Sequence, residues 1–462
     1  MNRFYPGQVV FTLRSGCGSR NVPAHLDLLA GAARAANRLD VAAVDRVLAR
    51  YGGGSRLSAA YHARKNLGNY GAHGNGYDDV EETLGMSRTY KVQIAEAGRT
   101  RDVIDALRDL EVVEVAGAQQ LATIPFEAVP SRPIAGPAKD ELAWEPHRRV
   151  RVPEAHELER GDERVTTAVV DTGVTVGHPE FQRKCLAGYD CVDLGMGHVN
   201  DDVRLIGDSR GFDYNPHDEV GHGCHVAGII GAQGWHIPRG VAGRSLLLPI
   251  RVLAAALKPN GNRRLGIGAL TDINAGMKVC VDLGADVVNM SFGTPATSVD
   301  PNATRPHARV IRYALHYGCV LIAAAGNSGL EEKYYPAADP DVIAVGSVDA
   351  HGRRSRFSTW GDHVALCAPG ENIISAGVRG YQANSGTSFA APFVAGVASL
   401  LVARARRAGV RLMGTEVRDV LTRSAAPLGS GVNKETGHGL LDALAAVKTL
   451  DAMLAQRRKG NA

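Results

Sequence analysis

From Thr166 onward the chain alternates predominantly apolar runs of strand length, TTAVVD, SLLLPIRVL, ADVVNMSF, CVLIAAAG and DVIAVGS, with helical stretches such as HGCHVAGIIGA, TDINAGMKVCVDLG and HARVIRYALHYG. A strand with no polar alternation has to be buried on both faces. Strands of this kind separated by helices therefore predict an α/β fold, a parallel sheet with helices on both faces.

The texture ahead of this region differs. Residues 5–13 (YPGQVVFTL) and 87–94 (SRTYKVQI) read as strands, 24–50 and 99–110 as helices, and 111–117 as a further strand. Together these form a small α/β unit over residues 1–125 that needs a partner surface. Between 126 and 147, Pro130, Pro133, Pro137 and Pro146 each remove a backbone donor and bias the preceding residue to extended geometry, so a linker or extended arm is expected. Residues 148–450 then form the main domain, and 451–462 read as a basic tail.

Charge and composition narrow the function classes. With 52 Lys and Arg against 48 Asp and Glu, a net charge of +4 and 45% hydrophobic residues, the chain is neither disordered nor a nucleic-acid binder recognised by bulk charge. The seven cysteines show no CxxC spacing, which argues against a zinc module and for reduced core thiols; a Cys185–Cys191 bridge is left open. The start, MNRFYPGQVVFTL, does not match a secretory signal peptide, and no run approaches 18 uninterrupted apolar residues. The expectation is a cytoplasmic protein with no membrane partner.

Four segments carry chemistry. VVDTGV puts Asp171 at the end of an apolar strand, where open α/β sheets collect ligands. GHGCHVAGIIGA starts a helix at His222, AAAGNSG ends a strand beside Asn327, and GTSFAAPFVAG puts Ser388 at the start of a long small-residue helix. Singly, each also has an ordinary reading as a turn cap, a core histidine, a turn or a helix cap. Their chemical reading is specific: a helix start offers backbone N–H groups and a positive dipole end beside a nucleophile, and an amide on a rigid strand end can donate to an oxyanion.

Taken together, in the order Asp171, His222, Asn327, Ser388, the chain resembles the subtilisin-like serine proteases. The similarity runs through VVDTGV, GHGCHVAG, VVNMSFG, AAAGNSG, AVGSVD, RFSTWG, CAPGENIIS and GTSFAAPFVAG, and covers about residues 165–445. It implies Ser388 as nucleophile, His222 as general base, Asp171 as its orienting carboxylate and Asn327 as the oxyanion-hole side chain. It also implies Ser291 and Gly293 as one wall of the substrate cleft, Ala324, Ala325 and Gly326 as the facing wall, and an edge strand at 265–268 containing Gly266, against which an extended peptide pairs. The substrate is then a protein or peptide, and the chemistry requires no cofactor. Residues 1–125 are similar to the family's inhibitory propeptide, enlarged by 24–50 and a Gly/His/Asn-rich segment, which implies an autoprocessed zymogen cut between Leu121 and Trp144.

Several positions depart from the family pattern. Cys224 replaces the usual Thr beside the base and suggests sensitivity to thiol reagents, while Phe389 and Phe393 replace the commoner Met and His. Asp171 and His222 are separated by an insertion, residues 195–220, that carries Asp201, Asp202, Asp208, Asp213 and Asp218. A structural calcium loop is open there, but without an Asp-x-Asp-x-Asp-Gly pattern the insertion reads as a solvated acidic loop. Two other functions compete: a maturation protease dedicated to one co-encoded partner, and a silent peptide-binding scaffold. The presence of all four chemical residues argues against the scaffold.

Overall fold

The computed structural model describes all residues except 1–3, 20, 69–75, 125–128, 196–197, 201–202, 211–212, 259–260, 301–302 and 461–462. The N-terminal unit is built from β1 (Phe4–Leu13), α1 (Ala42–Gly52), β2 (Ser55–Ala59), β3 (Thr89–Ile94), α2 (Thr100–Arg108) and β4 (Val113–Thr123). Its strands run β2-β3-β1-β4, all antiparallel. Val44 and Leu48 of α1 and Val103, Ile104 and Leu107 of α2 cover one face, over Val9, Phe11, Leu57, Tyr90 and Val92. The helix expected over 24–50 is broken into a short helix at His25–Leu29 and α1. Between them Ala36 and Leu57 exchange backbone hydrogen bonds of 3.0 and 2.7 Å, and Gly31 and Asp40 take positive φ. Tertiary pairing there overrides the helical propensity of an Ala-rich run.

Next come β5 (Val129–Ile134) and α3 (Glu141–Arg149), so the expected linker is extended only in its first half. Asp140 caps α3 by accepting from Ala143 N (3.0 Å), and the helix runs through Pro146 and past the expected boundary at residue 147. The main unit continues with β6 (Thr166–Asp171), β7 (Tyr189–Asp190), α4 (His222–Gly231), β8 (Leu246–Arg251), β9 (Arg264–Ala269), α5 (Leu270–Asp282), β10 (Val287–Met290), α6 (Ala308–His316), β11 (Val320–Ala324), β12 (Ile343–Val348), β13 (Val364–Pro369), β14 (Ile373–Ala376), β15 (Tyr381–Ser385), α7 (Thr387–Arg407) and α8 (Ala443–Gly460). Helix α8 takes in the expected basic tail, where Asp451 holds Arg404 at 2.9 and 3.0 Å.

Seven strands form a parallel sheet in the order β13-β12-β11-β10-β6-β8-β7. Successive residues feed opposite layers. Val169, Val287, Val320 and Ile322 pack under α4, α7 and α8, whereas Ala168, Val170, Val288, Leu321 and Ala323 pack under α5 and α6. This is the two-faced burial that the unbroken apolar runs require. Helix α7 is long and apolar enough to cross a membrane by length and composition, but 94% of its most apolar window is buried in this core. The seven cysteines are free thiols, including Cys185 and Cys191.

The N-terminal unit docks on α5 and α6 through buried charge. Lys278 of α5 meets Glu81 at 2.6 Å and Asp282 at 2.8 Å, and His62 reaches the same Asp282 at 2.8 Å. A second cluster joins His25 and Lys91 to Asp193 and Asp272 at 3.4–3.6 Å. Breaking such a buried pair strands an uncompensated charge, so these contacts fix the docking orientation strongly.

Close packing sets the placement of α7. A Cβ added at Gly396 would overlap Val241 Cβ and lie 2.7 Å from its Cγ1. Gly396→Ala is therefore expected to lower the thermal midpoint, the overpacking cost of about 1–3 kcal/mol outweighing the roughly 1 kcal/mol by which Ala is the better helix former. Scanning calorimetry checks this, and a raised midpoint would show that the Val241 contact is not limiting.

Candidate active site

Asp171, Ser291 and Asn327 follow or end β6, β10 and β11, three adjacent parallel strands, so their side chains gather at one rim of the sheet. The first turns of α4 and α7, which pack on each other, bring His222 and Ser388 to the same rim. Asp171, His222, Ser291 and Ser388 are buried, at 0%, 1%, 0% and 2% exposed, and Asn327 is half-buried.

His222 Nδ1 lies 2.7 Å from Asp171 Oδ1, which also accepts from Thr172 N at 2.7 Å. His222 Nε2 has no hydrogen-bond partner among the described residues. The fit between the two elements depends on Gly223, because a Cβ there would collide with the carbonyl oxygen of Gly173 in the turn after Asp171. Any larger residue would push His222 away from its carboxylate.

Asp218 holds this arrangement from below. Its Oδ1 accepts from Thr172 Oγ1 (2.9 Å), Val220 N (2.8 Å) and Gly221 N (2.8 Å), and its Oδ2 from Cys224 N (2.8 Å). It thus caps α4 and ties that helix to the Asp171 turn. Burial raises its pKa above the usual carboxylate value despite the four donors. Asp218 is fully buried, which corrects the expectation of a solvated loop at this point. The next residue, Glu219, accepts from Asp208 N (3.0 Å) and Arg251 (3.0 Å), fastening the insertion to β8; Asp201 and Asp202 lie outside the described residues. Among the described residues no group of three or more His, Cys, Asp or Glu side chains converges to hold a metal.

Ser388 is gripped through Ser291. Pro392 has no N–H to give to the carbonyl four residues back in α7, so Ser388 O is free of the helical ladder. Ser291 Oγ donates to it at 3.0 Å, oriented by Asn289 Nδ2 at 3.0 Å, while Ser388 Oγ donates to Ser291 O at 3.3 Å. Asn327 is set by Thr387: its Oδ1 accepts from Thr387 N (2.9 Å) and Thr387 Oγ1 (2.8 Å). This directs Nδ2 to the Gly386 side, where an added Cβ would sit 3.1 Å from it.

Thr387, Ser291 and Asp218 as supports are visible only once the chain folds. Phe389 is another such residue: its ring lies 5.3 Å from that of His222 and 4.5 Å from that of His225. Burial, then the neighbouring His222, pushes His225 down to about 3, and Asn384 Nδ2 donates to its Nδ1 at 3.1 Å.

The groove beside these residues is filled by the chain itself. Leu121, Ala122 and Thr123 pair antiparallel with Ala269, Gly268 and Ile267 of β9. On the other side Thr123 and Gly293 exchange backbone hydrogen bonds at 3.4 and 3.0 Å, and Ile124 N donates to Gly266 O at 3.2 Å. Gly266 and Gly293 therefore flank one extended segment. Ala324 and Ala325 are buried at the end of β11, and Gly326 lies under Tyr334, whose ring a Cβ there would meet at 2.8 Å.

The sequence profile of the subtilase family (Peptidase_S8) matches residues 162–439. The chain is 32% identical over 366 residues to a thermophilic serine proteinase of Bacillus sp. (strain AK1), covering 77% of this chain and 78% of that protein. It is 32% identical over 304 residues to thermitase of Thermoactinomyces vulgaris, covering 65% and 94%. Among solved structures, the prenylagaramide maturation protease PagA matches with a TM-score of 0.53 at 28% identity, over 65% of this chain and 98% of that one. A protease from Pseudoalteromonas arctica matches with a TM-score of 0.56 at 25% identity, over 68% and 100%.

The expectation for Cys224 is reversed by its surroundings. The residue is 0% exposed, and burial, then the nearby Asp218, pushes its thiol well above the usual value. A thiol kept protonated and covered does not react. Iodoacetamide at neutral pH should leave Cys224 unlabelled in the native protein and label it after unfolding, as read by peptide mapping; native labelling would refute the burial argument.

Proposed function

Because the chain belongs to the subtilase family of serine peptidases, we propose that it hydrolyses peptide bonds through an acyl-enzyme formed on Ser388. The observation that carries this reading is the 2.7 Å contact between His222 Nδ1 and Asp171 Oδ1, with Nε2 left unpartnered at the start of a groove that already holds an extended peptide segment. A serine hydroxyl is a poor nucleophile until a base removes its proton. Turning from Ser291 O toward His222 Nε2, Ser388 Oγ gives up its proton as it attacks the carbonyl carbon. Asp171 keeps the imidazole in the tautomer that can accept at Nε2 and stabilises the cation that results. Asn327 Nδ2 donates to the oxyanion, the tetrahedral intermediate collapses, and His222 passes its proton to the departing amine. Water, deprotonated by the same histidine, then releases the acid and restores Ser388.

The N-terminal unit acts in this reading as a tethered inhibitor. Residues 121–124 occupy the groove as a substrate would, paired on both sides, and β5 resumes on β15, which ends three residues before Ser388. Tethering keeps their local concentration high whatever their intrinsic affinity. The two paired segments bracket the serine, so processing falls between Ile124 and Val129. The maturation protease among the structural neighbours supports a second reading, in which the substrate is one partner encoded alongside this chain. Gene neighbourhood distinguishes it from a general peptidase.

Intact-mass analysis of wild type and Ser388→Ala tests activity and processing together. Wild type should convert to a shorter species beginning between residues 125 and 129, and Ser388→Ala and His222→Ala should stay full length and inactive. A wild-type protein fully active at unprocessed mass would recast the N-terminal unit as a substrate-recruiting domain. Labelling of wild type, but not Ser388→Ala, by a fluorophosphonate probe separates the hydrolase from a silent scaffold.

Asn327→Ala is expected to lower kcat by about a hundredfold to a thousandfold with little change in KM, since its amide acts on the transition-state oxyanion. Steady-state kinetics on a peptide amide checks the split. A change confined to KM would move Asn327 from catalysis to substrate binding.

A further inference from the structure

The half of the cleft downstream of Ser388 is held by a strand that the proposed processing does not remove. Strand β5 pairs antiparallel with β15, with Ile134 opposite Tyr381, Pro133 opposite Gln382, Arg132 opposite Ala383 and Val129 opposite Ser385. The other edge of β15 is taken by β14. An extended substrate passing Ser388 from the groove at Gly266 and Gly293 would meet, on its downstream side, the β15 edge that β5 already occupies.

The fastening of β5 lies on its C-terminal side. Ile134 packs with Ala138, Ala143, Ile237, Ile374 and Ala383, and Ala138 N donates to His236 O at 2.7 Å. Helix α3 follows, with the His147 ring 5.0 Å from that of Phe393 on α7. A cut between Ile124 and Val129 releases none of these contacts. The pairing itself is weak: Pro130 and Pro133 have no N–H to give, and Ser131, Arg132 and Pro133 are exposed along an outer edge. One side-chain link joins the strand to the catalytic helix, as Ser131 Oγ donates to Gln382 Oε1 (3.1 Å) and Gln382 Nε2 donates to Gly221 O (2.7 Å).

We propose that Val129–Ile134 is a specificity-determining strap: it stays on the catalytic unit after processing, covers the downstream half of the cleft, and makes the mature enzyme favour substrates with few residues after the cleaved bond. The inference rests on the peptidase reading above. A short substrate ends before the β15 edge and leaves the strap in place. A long one has to displace it, competing with a segment whose local concentration is set by its own chain. The missing proline donors make that displacement feasible, and the apolar anchor at Ile134 makes it costly.

The test uses the full chain after processing and two substrates sharing one upstream sequence. One is a coumarylamide ending at the cleaved bond. The other is a quenched fluorescent peptide continued by six residues. Ile134→Asp should raise kcat/KM for the long peptide by about tenfold, the change made by roughly 1.4 kcal/mol of lost anchoring, and leave the coumarylamide within about twofold. Ile134→Val should leave both unchanged. Coumarylamide turnover doubles as the folding control; if Ile134→Asp loses it, Ile134→Ala should shift the long peptide alone, in the same direction and by about threefold. Parallel changes in both substrates, or an unchanged long peptide in a folded variant, overturn the strap while the peptidase reading stands. No turnover of either substrate by processed wild type overturns the peptidase reading and the strap with it.

Discussion

The geometry at the rim of the sheet depends on one buried carboxylate. Asp218 has no water to solvate it and instead accepts four hydrogen bonds, from Thr172 Oγ1 and from the backbone N–H groups of Val220, Gly221 and Cys224. A buried anion left short of donors is expensive, so the turn after Asp171 and the start of α4 have no low-energy alternative to meeting at this point. Their meeting puts His222 on Asp171. The insertion of residues 195–220 thus contributes its last aspartate, Asp218, to positioning, while Glu219 ties the insertion to Arg251 of the sheet.

The serine side is organised by an absence of the opposite kind. Pro392 deprives Ser388 O of its helical donor, and a buried carbonyl without a partner has to find one elsewhere. Ser291 Oγ supplies it, and Ser291 O in turn receives the Ser388 hydroxyl. The backbone at the two serines is tied by the first of these bonds, while the Ser388 hydroxyl can turn away by breaking the second alone. A proline that looks like a flaw in a 21-residue helix is what couples α7 to β10.

What the sequence discloses follows from which forces are local. The parallel strands were legible because burial on both faces leaves no polar alternation, as in VVNM and VLIAA, and the strand-end placement of Asp171 and Asn327 came with them. The subtilisin-like blocks told the family, and family and fold agree with the matches to known proteases. The long helix expected over 24–50 was not legible, because its break is made by Leu57, twenty-one residues on from Ala36. Asp218 looked like one aspartate among five in a loop; only tertiary donors distinguish it. Cys224 looked exposed to reagents because a motif gives the neighbour in sequence and says nothing of the cover above it. Ser291, expected at the cleft wall from its place in VVNMSFG, makes its contacts beneath Ser388.

The two halves of the cleft are held by different kinds of attachment, and cutting the chain affects them unequally. Upstream, residues 121–124 belong to a unit docked through Glu81 on Lys278 and His62 on Asp282, buried contacts in which Glu81 and His62 lose their partners on separation while Lys278 and Asp282 keep each other on α5. Once the connection is cut, that unit is held by its own affinity alone, and dilution, unfolding or a second cut removes it for good. Separation also takes His25 and Lys91 away from Asp193 and Asp272, so the two carboxylates lose their cationic partners. Downstream, β5 is covalently part of the catalytic unit, so no dilution weakens it, and only a competing strand at the same edge of β15 can move it. Under the proposed processing, a cut would convert the upstream block into a separable one and leave the downstream block to be contested by each substrate in turn.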